Sequence, residues 1–133
     1  MIDAIFVSPT VHLVTGTLVL IAGLLALVAT GRAAWRKWPF SRGVHALFIL
    51  FQIALMVQAL IGVKLLDQGL GPLQLYIHYV GGLAPLGFVS LFYWFPGTDS
   101  VSKSRRAVLV TALSFVFVLM TFAVGSMYVA GTA

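Results

Sequence analysis

The chain has 133 residues, 61% of them hydrophobic and only 8% charged, with a formal net charge of +5. That leaves too few polar side chains to cover a soluble domain. The absence of cysteine excludes disulfides, thiolate metal sites and thiol catalysis. The positive balance sits in the connections between apolar runs, where it reads as membrane orientation and not as a nucleic-acid surface.

Crossing a bilayer takes about 20 mostly apolar residues, and the sequence holds four such runs. Together with three short connections they use almost the whole length. The expectation is a single all-α domain, an integral membrane bundle of four transmembrane helices in up-down order.

Span one covers about residues 9–30. Ser8-Pro9 opens it with an N-cap serine and a proline in the first turn. The run is longer than a signal-peptide core and no convincing cleavage site follows it, so it reads as retained. The connection over 31–42 carries Arg32, Arg36, Lys37 and Arg42 with two interfacial tryptophans, Trp35 and Trp38. Span two covers about 44–63 and leads into a turn region holding Lys64, Asp67, Gly69 and Gly71. Span three covers about 73–95, and the connection after it carries Asp99, Lys103, Arg105 and Arg106. Span four covers about 107–129. No internal repeat or low-complexity segment is evident.

Seven of the eight basic residues fall in the first and third connections. The positive-inside rule then puts those connections in the cytoplasm and both termini on the non-cytoplasmic side of the cell (inner) membrane. In an up-down bundle, spans one and three are diagonal to each other, as are two and four.

No Asp, Glu, Lys or Arg lies clearly within a span, which counts against a transporter or ion pump. The polar content is three histidines, His12, His45 and His78, with a few amides, chiefly Gln52 and Gln58. His12 is roughly 12 Å and His78 roughly 9 Å from the middle of its helix, both toward the outer side. Two imidazoles at similar depth on diagonal helices suit a flat macrocycle held from both sides. Their faces are small: Gly16, Gly23 and Ala26 beside His12, Gly82 and Pro85 beside His78, with Gly81 at the flank. Glycine lets a large planar group approach the backbone, although small faces also serve close packing of membrane helices.

The expected function is a membrane b-type cytochrome or a haem-carrying subunit of a redox complex, moving single electrons. His12 and His78 would be the metal ligands of haem b, with Gly16 and Gly82 in the cofactor wall. Lys64 is the basic residue available to the propionates, and Thr15 a local partner for His12. As an enzyme the chain would be an electron-transfer subunit of an oxidoreductase. His45 and Gln52 form a second candidate, a polar or quinone site near the cytoplasmic interface. Met56 and Met120 read as apolar filler, and Tyr76, Tyr79, Tyr93, Trp94 and Tyr128 as interfacial belt residues. The expected partners are the lipid bilayer and other membrane or redox subunits, with no nucleic acid. The alternatives are a cofactor-free accessory or assembly subunit and, less favoured, a small-molecule carrier.

Overall fold

A computed structural model describes residues 5–70, 76–95 and 99–131. Four helices follow one another: α1 (Pro9–Trp35), α2 (Arg42–Asp67), α3 (Tyr76–Trp94) and α4 (Ser100–Val129). There is no strand among the described residues. This is the four-helix bundle that the apolar runs predict. The stretch expected to begin span three, 73–75, lies outside the described residues.

Local chemistry sets the helix starts. Ser8, Ser41 and Asp99 are N-caps whose side chains accept from the backbone of Thr10, Val44 and Ser102. The ends of α1 and α2 share one capping pattern. Trp38 N–H donates to the Ala33 carbonyl and Lys37 N–H to that of Ala34, with Lys37 at φ 53°. Leu70 N–H donates to Leu65 and Gly69 N–H to Leu66, with Gly69 at φ 72°. Both are Schellman closures. In the first, a lysine occupies the left-handed position that glycine usually takes, at a cost of about 1 kcal/mol.

The helices run past the apolar segments. Lys103, Arg105 and Arg106, expected in a connection, stand on the first turns of α4, which starts seven residues before the predicted span. Arg32 and Arg42 are likewise helical. The Asp99 cap explains the early start of α4. Aromatic rings hold the cations: Arg32 and Arg36 lie over Trp38, Lys103 over Phe40 and Arg106 over Phe92.

Hydrogen bonds between the connections fix the topology. Phe40 N–H donates to Ser100 Oγ at 2.8 Å and Ser104 Oγ–H to the Trp38 carbonyl at 3.0 Å, so the starts of α2 and α4 share one end. At the other end Val7 and Gln68 exchange two bonds of 2.8 Å, joining the start of α1 to the end of α2. α3 therefore carries the chain back across the bundle. α1 packs on α2 and α4, and α3 packs on α4, whereas α2 and α3 meet only sparsely. α1 and α3 lie diagonally, and the seam between α2 and α3 is the loose one.

α1, α2 and α4 are each long and apolar enough to cross a membrane. The outward faces match that: Leu18, Leu24, Leu60, Leu109 and Val116 are each half exposed or more. Apolar area on this scale is stable against lipid and not against water. Three of the helices could span a membrane, and their apolar outward faces suit contact with lipid.

The interior divides along the bundle axis. At the basic end Phe48, Phe92, Val89 and Ala107 form a closed cluster, with Phe48 and Phe92 edge to face at 4.8 Å. Toward the middle Val19, Ala26, Phe51, Leu55 and Val118 pack together. Two buried hydroxyls in these layers bond back into their own helices, Thr30 to Ala26 and Thr111 to Ala107, each at 2.7 Å. Gly23, read from sequence as part of a small face, is filled by its neighbours. A Cβ there would stand 2.9 Å from both the Phe51 and the Phe115 rings. Gly23→Ala is therefore expected to destabilise the bundle by about 1–3 kcal/mol through overpacking. Gly43→Ala, with no atom near its Cβ position, should be neutral or stabilising. Thermal unfolding of the two variants in detergent checks this pair.

Candidate functional site

At the end opposite the aromatic cluster the four helices enclose a cavity of about 630 Å³. This lies within the range of sites for small ligands and cofactors. The wall includes His12 and Gly16 from α1, Gln58 and Gly62 from α2, His78 and Gly82 from α3, and Thr121 and Gly125 from α4. The structure brings the rings of His12 and His78 close to each other at this cavity. Their ring centroids are 6.0 Å apart and the planes are inclined by 58°.

Glycine makes that approach sterically open. A Cβ on Gly62 would stand 3.2 Å from His12 Cε1, and one on Gly125 would stand 3.0 Å from His78 Cε1. Even a methyl group at either position would crowd its imidazole, which would have to give by a few tenths of an ångström. Gly16 sits against the Gln58 amide, and Gly82 has open space apart from a Thr121 methyl. Its neighbour Gly81 does a different job. It is buried on α4, where a methyl group would collide with Thr121.

The histidines have different partners. His78 Nδ1 is 3.1 Å from the Thr121 carbonyl. A carbonyl only accepts, so Nδ1 carries the proton and Nε2 of the neutral ring holds a free lone pair. The Nδ1–Cε1 edge of the ring faces α4. His12 meets the side chain of Gln58, whose Nε2 lies 3.1 Å from Nδ1, 3.3 Å from Nε2 and 3.1 Å from the His12 carbonyl. Thr15 donates to Gln58 Oε1 and also reaches the Val11 carbonyl at 2.8 Å. Thr15, expected as a direct partner of His12, thus acts on its ring only through Gln58.

The two halves of the chain build this end from matching parts. His12 and Gly16 are four residues apart on α1, as are His78 and Gly82 on α3. Gln58 and Gly62 are four apart on α2, as are Thr121 and Gly125 on α4. In each half the first residue of the second pair holds the imidazole and the glycine makes room for it. Overall sequence similarity between the halves is too slight to reveal this correspondence, which becomes visible through the contacts.

Several sequence expectations need correction. Lys64 does not line the cavity. Its Nζ pairs with Asp67 at 2.6 Å, one turn along the same helix. His45 and Gln52 do not form a joint polar site. The Gln52 amide and the Tyr93 hydroxyl hold each other at 3.0 and 3.3 Å, and the His45 ring packs on Phe40 at 5.3 Å. Tyr79, read as a belt residue, lines the cavity with its ring edge-on to His78 at 5.8 Å. Its buried hydroxyl has no hydrogen-bond partner among the described residues. Gln58, Gly62, Tyr79, Thr121 and Gly125 are site residues that the sequence reading did not assign. The sequence signal for the glycines was their position near the outer ends of α2 and α4, away from any turn. Among the described residues no group of three or more His, Cys, Asp or Glu stands together.

No family model, curated protein or solved structure matches the chain.

Proposed function

We propose that the chain is a membrane b-type cytochrome, or the haem-carrying membrane subunit of a redox complex, with His12 and His78 as axial ligands. The observation that carries this reading is the separation of the two imidazoles. An imidazole nitrogen holds a metal at about 2 Å, and ring centroids 6.0 Å apart are near enough for both histidines to hold one metal ion. A set of two imidazoles also suits a metal that brings its own equatorial nitrogens, whereas a bare ion asks for three or four protein ligands.

The chain's own groups have distinct roles in this reading. His78 offers Nε2 because the Thr121 carbonyl holds the Nδ1 proton. Gly62 and Gly125 make room for the imidazoles, and Gly82 leaves open space on the cavity wall for a planar group. The orphan Tyr79 hydroxyl supplies a donor for a polar edge of the occupant. With Lys64 engaged by Asp67, hydroxyl donors take over the part that the sequence reading gave to that lysine. The bound haem would exchange single electrons, and the apolar wall would keep water from the metal. The basic end, with Arg32, Arg36, Lys37, Arg42, Lys103, Arg105 and Arg106, faces the cytoplasm by the positive-inside rule. The imidazole pair then lies in the outer leaflet of the cell membrane, with both termini outside.

One observation favours a second reading, a cofactor-free accessory subunit of a membrane complex. The same bonds tie helices together, His12 to Gln58 across α1 and α2, and His78 to Thr121 across α3 and α4. The absorption spectrum of the purified protein separates the two readings. A reduced-minus-oxidised low-spin haem band is expected, and its absence from protein purified with haem present overturns the first.

Three further outcomes are expected. His12→Ala and His78→Ala should each abolish the low-spin spectrum, while His45→Ala, on the far end of α2, leaves it intact. Gly82→Leu should give a folded protein without haem, because the new side chain enters the cavity at a cost of about 1–3 kcal/mol. Retention of the full spectrum in that variant would move the glycine out of the cofactor wall. For orientation, a single Ser41→Cys should be shielded from an impermeant thiol reagent in intact cells and Ala130→Cys should react. The opposite labelling would invert the bundle.

A further inference from the structure

On the outside of the bundle, α1 and α2 leave a groove of about 340 Å³ that is apolar apart from Thr15. Leu18 and Leu25 of α1 and Leu50 and Val57 of α2 form its sides, each roughly half exposed. The smaller Ala22 and Ala54 leave the space between them. Gly16 meets Gln58, Gly23 meets Phe51 and Gly62 meets His12. These contacts set the antiparallel register of the two helices, and carried toward the basic end it puts Arg32 level with Arg42 and Gly43. Arg32 stands two turns from Leu25 on one stripe of α1, and Gly43 two turns from Leu50 on one stripe of α2. The groove therefore points at these residues. Gly43 has no atom within 4 Å of its Cβ position, so no side chain closes the way there.

We infer that this groove seats one chain of an anionic phospholipid from the leaflet at the basic end, with Arg32, Arg36 and Arg42 meeting its phosphate. The inference rests on the membrane reading of the helices and is independent of haem. Charge selects the headgroup. Arg32 and Arg36 are exposed and lie over the Trp38 ring at 5.8 and 5.0 Å, and neither has a carboxylate partner. Among the described residues the acids are Asp67, paired with Lys64 at the other end, and Asp99, whose side chain caps α4. An aromatic face leaves the positive charge of a guanidinium in place, whereas a phosphate neutralises it through paired acceptors. The first N–H groups of α2, around Gly43, have no acceptor within the helix and add to the attraction for an anion. A zwitterionic headgroup brings a cation of its own to the same arginines and is held less. Depth selects the chain. From Arg32 to Ala22 is about ten residues, roughly 15 Å, which is half of a hydrocarbon core about 30 Å thick.

The test is native mass spectrometry of the full-length protein in detergent, with dioleoyl phosphatidylglycerol or dioleoyl phosphatidylcholine added. Wild type should hold one phosphatidylglycerol more tightly than further copies of it, and more tightly than phosphatidylcholine. Arg32→Gln combined with Arg36→Gln should weaken that first binding about fivefold for each arginine, the scale for one basic side chain at an anionic surface. Lys103→Gln combined with Arg105→Gln makes the same change of charge on α4 and should leave it as in wild type. Ala54→Phe fills the groove and Gly43→Leu blocks its basic end. Both should lower phosphatidylglycerol binding with no change of charge. Equal losses in the two double variants would reduce the effect to the overall charge of the basic end and overturn the inference. A preference that survives both Ala54→Phe and Gly43→Leu overturns it too, as does a wild type that binds the two lipids alike. Should Ala54→Phe fail to fold, Gly43→Leu, whose side chain enters open space, decides the steric arm.

Discussion

Two imidazoles can face each other inside a four-helix bundle only where the surrounding helices put nothing between them. Here each helix contributes a glycine at that level, Gly16, Gly62, Gly82 and Gly125. Two of these lie so close to an imidazole that even a methyl group would crowd it. Removing side chains from an interior normally costs packing energy. The bundle offsets that cost elsewhere. Phe48, Phe92 and Phe40 close the basic end, and Phe51 and Phe115 press on Gly23 in the middle layer. One end is rigid and filled, and the other is open and lined by groups with unspent hydrogen-bonding capacity.

The arrangement of polar groups follows the same division. At the basic end, cations lie on aromatic faces and connect the starts of α2 and α4. Within the membrane layer the hydroxyls of Thr30 and Thr111 are satisfied by their own helices, which costs the fold nothing in interhelical specificity. At the open end the side chains are directed across helix boundaries, His12 to Gln58 and His78 to Thr121. The loose seam between α2 and α3 borders this end. The bundle thus combines a packed base that fixes helix positions with a more open end whose polar side chains bond across helices.

The near-equivalence of the halves gives this scaffold a simple construction. Each helical hairpin brings one histidine, two glycines and one hydrogen-bond partner for the imidazole. The halves differ in the partner of the imidazole, the Gln58 side chain in one and the Thr121 backbone carbonyl in the other.

Much was legible in the sequence itself. Four apolar runs, the Ser8-Pro9 start and the distribution of arginine and lysine determined four helices, their order and which connections share an end. These features depend on local propensity and on transfer from water to lipid, and both act residue by residue. The level of His12 and His78 was also readable, because helical rise converts position into depth. Side-chain direction was not. Lys64 was expected at the cavity and turned to Asp67, since a partner one turn away on its own helix needs no tertiary arrangement. Gln52 found Tyr93 instead of His45 because the neighbouring helix supplied a hydroxyl at the right height. Gln58, Gly62 and Gly125 became part of the site only when α2 and α4 were rotated to face it. Rotation about a helix axis is decided by how all four helices pack together, and an apolar run with little amphipathic character carries almost no record of it.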